Sequence, residues 1–472
     1  MRKRLLFLIF FCLSLTIVPL IFIKNHFIKK NKLNYKTIVK KQNIYIKPDG
    51  TLYFKKSCLD DKNIYKSFTI TDKSKFVLIC SPYKQIKNIF KDYKFSCVNS
   101  CDKCNLIYDY FYYNKLNNTI LGLNRYQKIC RIPKTIYLTS KYNFLKELKK
   151  ASKLYPGEYD FFIESYILPK DKEIFKNRIN TSKFWVKKPY NLSRGRGIKI
   201  INKVTNFDEK VIVQKYIKPH LLFGKKYDIR IILLITSYDP LVVYLYTDGF
   251  LRFATHPYSE KEDFYIEDKF MHLTNNSVNK DSIFYKKNDD PNKLTESLAS
   301  LKSFKKYCKG NNIDFNSIIN KVKDNIIKCI LIRYDRSVKE LKGYNLKSSK
   351  NLFELIGVDI ILDDKLEPHI LEFNANPSLE WNCKCGDIIT NNILIDTFNL
   401  LGIKQYDRNE KENNKAMSIN EMLNENIEEL KRDRGGYELI FPLKENIEKY
   451  KKFIKKDTIL NKLLWKYIKE NN

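Results

Sequence analysis

Apolar residues fall into short runs along this chain, and polar clusters separate one run from the next. Runs rich in β-branched and apolar residues occupy 211–217, 227–236 and 353–362, and each ends in polar residues, which predicts β-strands. The spacing of apolar residues predicts an amphipathic helix over 144–154, and further helices are predicted near 314–340. This mixture of strands and helices predicts an α/β (α+β) fold.

The stretch 353–379 carries the clearest candidate for chemistry. A polar turn at 363–365 interrupts its apolar residues, which predicts a β-hairpin that places Asp359 directly opposite Glu372. Because strand side chains alternate, Glu372 and Asn374 share one face. Two carboxylates and an amide oxygen suit Mg²⁺, which keeps waters and substrate phosphates beside one or two carboxylates. The alternative is a hairpin with solvated acids, but this does not explain an acid within an apolar run.

Glycines and basic residues follow the short strand that ends at Lys188 and Pro189. Gly195 and Gly197 make the next turn flexible, so that backbone amides can approach phosphate oxygens, and Lys188 and Arg194 add positive charge. The spacing matches neither the Walker pattern nor the dinucleotide fingerprint. Taken alone, this turn does not establish a phosphate site.

Charged residues also lie on the predicted strand 227–236. Asp228 and Arg230 share one face of it, and a predicted turn at 247–249 precedes Arg252. An acid and a base two residues apart on a strand commonly form a structural pair. Here they add to a set of groups suited to a nucleotide.

The charge of the whole chain indicates an anionic partner. The 472 residues are 43% hydrophobic, which excludes a wholly disordered protein. The net charge of +34 comes from 87 Lys and Arg against 53 Asp and Glu. Such a surplus attracts nucleic acid, anionic membrane or acidic protein tails, without choosing among them.

The eleven cysteines are odd in number and scattered, which favours mostly reduced thiols. Cys97, Cys101 and Cys104 have a spacing that also occurs at iron–sulfur sites. No glycine-rich strand–helix repeat follows them, so a structural loop is the preferred interpretation. A zinc clip that adds Cys130 is the alternative.

Residues 5–23 form an uncharged apolar segment with basic residues at both ends. Its length suits a membrane anchor, and more basic residues follow it than precede it, which places the body in the cytosol. A cleaved signal peptide is the alternative. Glycosylation sequons at Asn191 and Asn275 lie in the predicted nucleotide loops, where a sugar would block the site, and this also favours the cytosol.

The motifs also occur in a familiar order. They are Lys188-Pro, Arg194-Gly-x-Gly-Ile, Gln214-Lys-Tyr-Ile, Lys226-Tyr-Asp-Ile-Arg230, His272-Leu-Thr-Asn275, and Asp359 followed by Glu372-Phe-Asn374-x-Asn-Pro-Ser. Jointly they resemble the tubulin tyrosine ligase-like family, which has an ATP-grasp fold. The resemblance covers about 120–400 and the tail stretch Arg434-Gly-Gly-Tyr-Glu-Leu-Ile-Phe-Pro442, and the segments 236–255 and 272–280 are similar to the polyglutamylase branch.

The resemblance implies ATP and Mg²⁺ as cofactors and assigns residues to them. The implied ATP-binding residues are Lys188, Arg194, Gly195, Gly197, Gln214, Lys215, Lys226, Asp228, Thr274 and Asn275. The implied Mg²⁺ ligands are Asp359, Glu372 and Asn374, which agrees with the hairpin argument. The implied catalytic residues are Arg252, Arg230 and Lys188.

The resemblance also implies a reaction and an organisation of the chain. The expected enzyme is an ATP-dependent ligase that joins free glutamate to glutamate side chains of tubulin tails through an acyl phosphate. It is expected to be a microtubule-associated monomer that binds no nucleic acid. The alternatives are the same ligase acting on another acidic protein, or an inactive, membrane-tethered microtubule-binding protein. The expected parts are a membrane anchor or signal peptide (1–30), a small α/β domain (31–130), two α+β subdomains of an ATP-grasp fold with nucleotide between them (131–217 and 218–405), and a charged helical tail (406–472).

Overall fold

The computed structural model describes most of the chain. The described residues are 44–47, 49–54, 77–91, 96–97, 104–109, 113–133, 135–204, 206–259, 267–378, 381 and 383–471. The predicted membrane segment 5–23 and Cys101 lie outside them. Across the described ranges, no helix combines the length and apolar character that a bilayer crossing requires.

Short strands build the N-terminal part. Its elements are β1 (Ile44–Ile46), β2 (Leu52–Phe54), β3 (Leu78–Cys80), α1 (Lys84–Lys91), β4 (Ser96–Cys97), β5 (Leu106–Ile107), α2 (Tyr113–Leu121) and β6 (Lys128–Cys130). The order β4-β3-β5-β6 contains only parallel pairs, so helices and loops connect them. Cys80 is disulfide-bonded. Most described cysteines are reduced, as predicted; those that form no disulfide are Cys104, Cys130, Cys308, Cys329, Cys383 and Cys385.

A separate antiparallel sheet forms the middle of the chain. The elements here are α3 (Ile136–Thr139), α4 (Lys141–Leu154), β7 (Ser165–Ile167), α5 (Lys172–Lys176), β8 (Trp185–Pro189), β9 (Lys199–Ile201) and β10 (Val211–Lys215). The sheet has the order β7-β10-β8-β9. Its small core contains Phe175, Trp185 and Val213, which are fully buried. The predicted helix over 144–154 is confirmed within α4.

Long antiparallel strands dominate the next part. Its elements are β11 (Leu221–Leu222), β12 (Lys225–Tyr238), β13 (Leu241–Phe253), α6 (Lys269–His272), α7 (Asn276–Asn279), β14 (Leu298–Ser300), α8 (Leu301–Gly310), α9 (Phe315–Leu331), α10 (Tyr334–Leu341), β15 (Leu352–Leu362), β16 (Pro368–Ala375) and α11 (Lys384–Leu401). The order β14-β13-β12-β15 continues through β6 into the N-terminal strands. Every residue of β15 is buried, which explains its nearly unbroken apolar sequence.

The predicted turn at 247–249 is wrong, because β13 runs without a break through these residues. The register between β12 and β13 shifts here, because three residues of β13 (246–248) lie opposite the single residue Ile232 of β12. A Cβ atom on Gly249 would lie 2.5 Å from the carbonyl oxygen of Arg230. The glycine therefore permits close approach of two strands, a role that its sequence neighbourhood does not distinguish from a turn.

The tail folds onto this sheet. Its elements are α12 (Ile419–Lys431), β17 (Tyr437–Phe441), α13 (Ile447–Lys451) and α14 (Ile459–Asn471). A capping box between Ser418 and Glu421 begins α12, and the predicted helical character of the tail is confirmed there and in α14. The structure adds β17, which pairs with β13. Glu429 of α12 is buried against Lys350, with their charged atoms 2.9 Å apart, which holds the tail against the sheet.

Candidate active site

The predicted β15–β16 hairpin forms, but its register shifts by one residue between the turn and the candidate site, because Ile360 pairs with Ile370. Asp359 pairs directly with Glu372, and Asn374 pairs with Gly357, which lies two positions before Asp359 in β15. The turn is fixed by Asp363, whose Oδ1 accepts 2.9 Å hydrogen bonds from the backbone N–H groups of residues 365 and 367. The amide Nδ2 of Asn374 donates to Asp359 Oδ2 over 3.2 Å, so these side chains meet on one face. The three predicted metal ligands are therefore adjacent.

Four buried charges meet beside the hairpin. Arg230 donates to Asp359 through Nε and Nη2, the latter over 2.8 Å. Arg252 donates through Nε to Asp228 over 2.9 Å, and its Nη2 contacts Asp228 and lies 2.9 Å from Asp359 Oδ2. None of the four residues is more than 6% exposed. Two arginines and two aspartates balance in formal charge, so this quartet places no net charge in the interior.

The environment of each aspartate affects its pKa differently. Burial raises the pKa of Asp359, but the guanidiniums of Arg230 and Arg252 outweigh it and hold this pKa below its ordinary value. Burial also raises the pKa of Asp228, and there it outweighs the attraction of Arg252, so the pKa stays above its ordinary value. Asp359 is therefore anionic at neutral pH, as a metal ligand must be.

Lys141 is a site residue that sequence reasoning missed. Its Nζ lies 3.0 Å from Glu372 Oε2, and it donates to the backbone carbonyl oxygen of Leu192 over 3.2 Å. It thus connects a predicted metal ligand with the glycine-containing loop after β8. Because the predicted helix begins at 144, this lysine falls in no motif. The available signal was Ser140, an N-cap residue that accepts from the backbone N–H of Asn143 and starts α4 at Lys141.

The lysines of the cleft are held by neutral partners. Lys188 donates to Gln214 Oε1 over 2.5 Å, and Gln214 Nε2 donates to Ser165 Oγ over 2.9 Å. Lys226 lies over the ring of Tyr216, with Nζ 4.7 Å from the ring centroid. Burial lowers the pKa of Lys188 and of Lys226 to about 8. The carboxylates of Glu372 and Asp359 near Lys188, and of Asp228 near Lys226, offset this burial only in part, so an added polyanion would stabilise the charged forms of both lysines.

The glycine-containing loop is seated on α7. The backbone carbonyl oxygen of Arg194 accepts a 2.9 Å hydrogen bond from Ser277 Oγ. Gly195 has a φ of +76°, and a Cβ atom there would lie 2.9 Å from Asn275 Oδ1 and from Val278 Cγ2. The predicted loop thus closes against the predicted Thr274–Asn275 pair. Gly195 is therefore required because a larger residue would collide with α7, in addition to any contact that it makes with phosphate.

A hydrogen bond also joins Tyr216, the residue after β10, to α6. The hydroxyl of Tyr216 lies 3.0 Å from Nδ1 of His272, and Lys226 donates to the same hydroxyl over 3.4 Å. Tyr216 follows the predicted adenine residues Gln214 and Lys215. The bond therefore links the predicted adenine segment with the motif that contains Thr274 and Asn275.

Three predicted residues, Lys188, Gln214 and Glu372, line a cavity in the structure, and another predicted residue, Arg194, is exposed. A cavity between the middle sheet and the hairpin is lined by Lys141, Lys188, Gln214 and Glu372 together with apolar side chains. The contact of Arg194 with Ser277 is made by its backbone carbonyl oxygen and not by its guanidinium. Among the described residues, no cluster of three or more His, Cys, Asp or Glu side chains could hold a metal, which leaves the mixed carboxylate–amide hairpin as the candidate.

The hairpin carries oxygen ligands and faces a lysine-lined cleft between two sheets. This is the arrangement of a nucleotide-binding protein with an ATP-grasp-type fold. The predicted mixed α/β fold class is confirmed. Residues 120–415 match the model of the tubulin-tyrosine ligase family. The chain belongs to this family, as its motifs predict.

Several characterised relatives carry names that describe glutamylation. The chain is 34% identical over 287 residues to tubulin monoglutamylase TTLL4 of Mus musculus, covering 60% of this chain and 24% of that protein. It is 31% identical over 352 residues to a probable beta-tubulin polyglutamylase of Tetrahymena thermophila, covering 68% and 30%. It is 29% identical over 369 residues to tubulin polyglutamylase ttll6 of Danio rerio, covering 72% and 47%. The chain thus spans between about a quarter and a half of these relatives.

Proposed function

We propose that this protein is an ATP-dependent ligase that adds glutamate, through isopeptide bonds, to glutamate side chains in the C-terminal tails of tubulin. One observation carries the proposal: Asp359, Glu372 and Asn374 meet on one face of a hairpin, beside buried arginines and cleft lysines. The printed names of the relatives, which are tubulin monoglutamylases and polyglutamylases, support the substrate.

The residues of the hairpin fit a magnesium ion. Their donor atoms are all oxygens, and Asp359 keeps a low pKa. Asp359, Glu372 and Asn374 would hold the ion, which supplies neutralisation of phosphate charge when bound. Asp359 contacts Arg230, and Glu372 contacts Lys141. These two basic groups would therefore lie beside the ATP phosphates whose charge the ion neutralises.

The cleft residues fit ATP. Lys188, Lys226, Arg194 and the loop with Gly195 and Gly197 would bind its phosphates and ribose side. Gln214, Lys215, Thr274 and Asn275 would line the base and complete the pocket. The lowered pKa values of Lys188 and Lys226 are consistent with a site whose lysines gain a polyanionic partner.

The chemistry requires no nucleophilic side chain from the protein. A glutamate carboxylate of the acceptor attacks the γ-phosphorus of ATP, and ADP leaves, which gives an acyl phosphate. The amine of a second glutamate attacks the acyl carbon, phosphate leaves, the nitrogen loses a proton, and an isopeptide bond forms. Lys188, Arg230 and Arg252 stabilise the charge that develops on the phosphoryl and acyl oxygens. Asp228 and Asp359 hold the two guanidiniums in fixed directions.

The charge of the chain agrees with an acidic acceptor. A net charge of +34 attracts glutamate-rich tails, and the attraction weakens as salt rises. We further propose association with microtubules on the cytosolic side of a membrane, with attachment through 5–23. This part of the proposal rests on the sequence alone.

A direct assay tests the proposal. Full-length protein is incubated with ATP, Mg²⁺, labelled glutamate and tubulin, and the tubulin tails are analysed by mass spectrometry. We expect added glutamate with the wild type and none with Glu372→Gln. Equal products from the two proteins would contradict the proposed site. Labelling of another acidic protein in preference to tubulin would retain the ligase and change its acceptor.

A further inference from the structure

Asn376, which follows the candidate metal site in the chain, has a side-chain amide without a partner in the protein. Its Oδ1 and its Nδ2 are both buried, and neither forms a hydrogen bond. Across the described part of the chain, no other side chain has two such atoms. Buried polar atoms are nearly always paired in native proteins, so this amide requires an explanation.

The backbone of Asn376 is also in an unfavourable conformation. Its φ of +48° lies in the left-handed region, which asparagine tolerates but glycine adopts at lower cost. The unpaired amide and this conformation both reduce the stability of the folded state. Costs of this kind persist at sites that bind a ligand, where they serve function. Asn376 is therefore a candidate ligand-binding residue.

Asn376 lies beside the groups proposed to act on phosphate. It comes two residues after Asn374 and directly before Pro377. A Cβ atom built on Gly357, the partner of Asn374 in the hairpin, would lie 3.1 Å from Cβ of Pro377 and 2.9 Å from Cδ of Arg230. Pro377 and Arg230 thus meet over the same glycine. Asn376 is therefore next to both a predicted metal ligand and a predicted catalytic arginine.

The chain after Pro377 stays on this face of the sheet. Trp381 stacks on Phe250, with 4.3 Å between the ring centroids. Phe250 pairs directly with Arg230 across two strands, so their side chains share a face. Asn376 is therefore held between β16 on one side and the packed Pro377 and Trp381 on the other.

The chemistry of the amide identifies the ligand. A carboxamide offers an acceptor oxygen and an N–H₂ donor side by side. In the proposed reaction, the incoming glutamate brings an amino group and an α-carboxylate on one carbon atom to the reacting phosphate. The acceptor glutamate brings only a carboxylate there. The free amino acid therefore matches both halves of the amide, and the acceptor matches one.

We propose that Asn376 binds the incoming free glutamate, with Oδ1 accepting from its amino group and Nδ2 donating to its α-carboxylate. This inference rests on the proposed ligase function and identifies a residue of its amino acid subsite. The residue as a whole is partly exposed, so rotation of the side chain presents the amide to the substrate. The two hydrogen bonds orient the attacking nitrogen.

The variant Asn376→Gly separates binding from folding, because it removes the amide and suits the positive φ. Asn345→Gly is the matched control, since Asn345 has the same φ of +48° and is exposed. Transfer of labelled glutamate to a tubulin tail peptide is measured with ATP and Mg²⁺. We expect Asn376→Gly to raise the KM for glutamate about tenfold. The KM for ATP and for the peptide should not change, and the Tm should not fall. The control should match the wild type in each of these values.

A second measurement changes the substrate. In the α-amide of glutamate, a neutral group replaces the α-carboxylate. The wild type should prefer glutamate to this compound in kcat/KM, and Asn376→Gly should reduce that preference about tenfold. An unchanged preference, an unchanged KM for glutamate, or an equal rise in the KM for glutamate and for ATP would overturn the proposal. A rise confined to the peptide, or a lower Tm for Asn376→Gly, would overturn it as well.

Failure of the proposed function gives a different result. In that case the wild type transfers no glutamate to any acceptor. Calorimetric titration of glutamate into the full chain, with Mg²⁺ and a non-hydrolysable ATP analogue present, then tests Asn376 independently. Weaker binding by Asn376→Gly than by the wild type would support the proposal. Equal binding by the two proteins, or no binding by the wild type, would refute it.

Discussion

Replacing the two predicted acidic metal ligands one at a time should separate function from stability. Asp359→Asn leaves two buried guanidiniums with a single carboxylate, Asp228, and turns an amide N–H₂ toward one of them. Removing one partner of a buried ion pair costs about 3–5 kcal/mol. Glu372→Gln acts on a pair with Lys141 whose side chains are 23% and 19% exposed. Pairs of that exposure contribute about 0–1 kcal/mol, so this change should hardly affect stability.

Thermal unfolding and glutamate transfer, measured on the same preparations, check this contrast. We expect Asp359→Asn to lower the Tm by roughly 5 °C, and Glu372→Gln by about 1 °C or less. Both should abolish transfer, because each removes a carboxylate ligand of the same ion. Asp364→Asn, on the exposed turn of the same hairpin, controls for the chemical change. Equal Tm values for Asp359→Asn and wild type would refute the reasoning from buried charge.

Three further predictions concern the cleft. Lys141→Met should raise the Kd for ATP about tenfold, because Glu372 and the glycine-containing loop lose a shared contact. The control Lys150→Met, on the exposed face of α4, should leave this Kd unchanged, and equilibrium titration measures both. Lys188 and Lys226, each with a pKa of about 8, must be protonated to hold phosphate. The affinity for ATP should therefore be highest below pH 8 and fall about fivefold for each lysine between pH 8 and 9. A calorimetric titration in which the affinity does not change with pH would contradict this. Gly195→Ala should weaken ATP binding, since its Cβ meets α7, whereas Gly157→Ala has a similar φ and open space and should bind as the wild type does.

Sequence reasoning found the hairpin from its polar turn and placed Asp359 opposite Glu372, and the structure has this pairing. The turn alone does not determine it, because the pairing of Leu362 with Pro368 would place Asp359 opposite Leu371, and a register shift between Ile360 and Asp359 brings Glu372 to that position. The family, the mixed α/β fold and the helix at 144–154 follow from equally local patterns. The roles of the ATP-binding residues stay predictions, and of these residues Lys188 and Gln214 line the cavity in the structure.

What sequence reasoning missed depends on contacts between distant segments. Asp228 and Arg230 lie on one face of β12 as predicted, but they pair across strands, with Arg252 and Asp359, and not with each other. Lys141 meets Glu372 only because α4 packs beside β16. The contacts of Arg230 with Asp359 and of Lys141 with Glu372 join elements far apart in the chain, so no local spacing encodes them. Asp228 and Arg252 pair directly across the β12–β13 hairpin, but shifts in its register hide this pairing from a simple count of residues.

The pairing of β17 with β13 restricts where the chain can be cut. The family match ends at residue 415, yet Tyr437–Phe441 lies beyond it and occupies one edge of a thirteen-residue strand that carries Arg252. A shortened protein that stops at the family boundary would bare that edge to solvent, with unpaired backbone N–H and C=O groups beside apolar side chains. Such an edge recruits other strands, so loss of the last residues should produce aggregates rather than a smaller active enzyme.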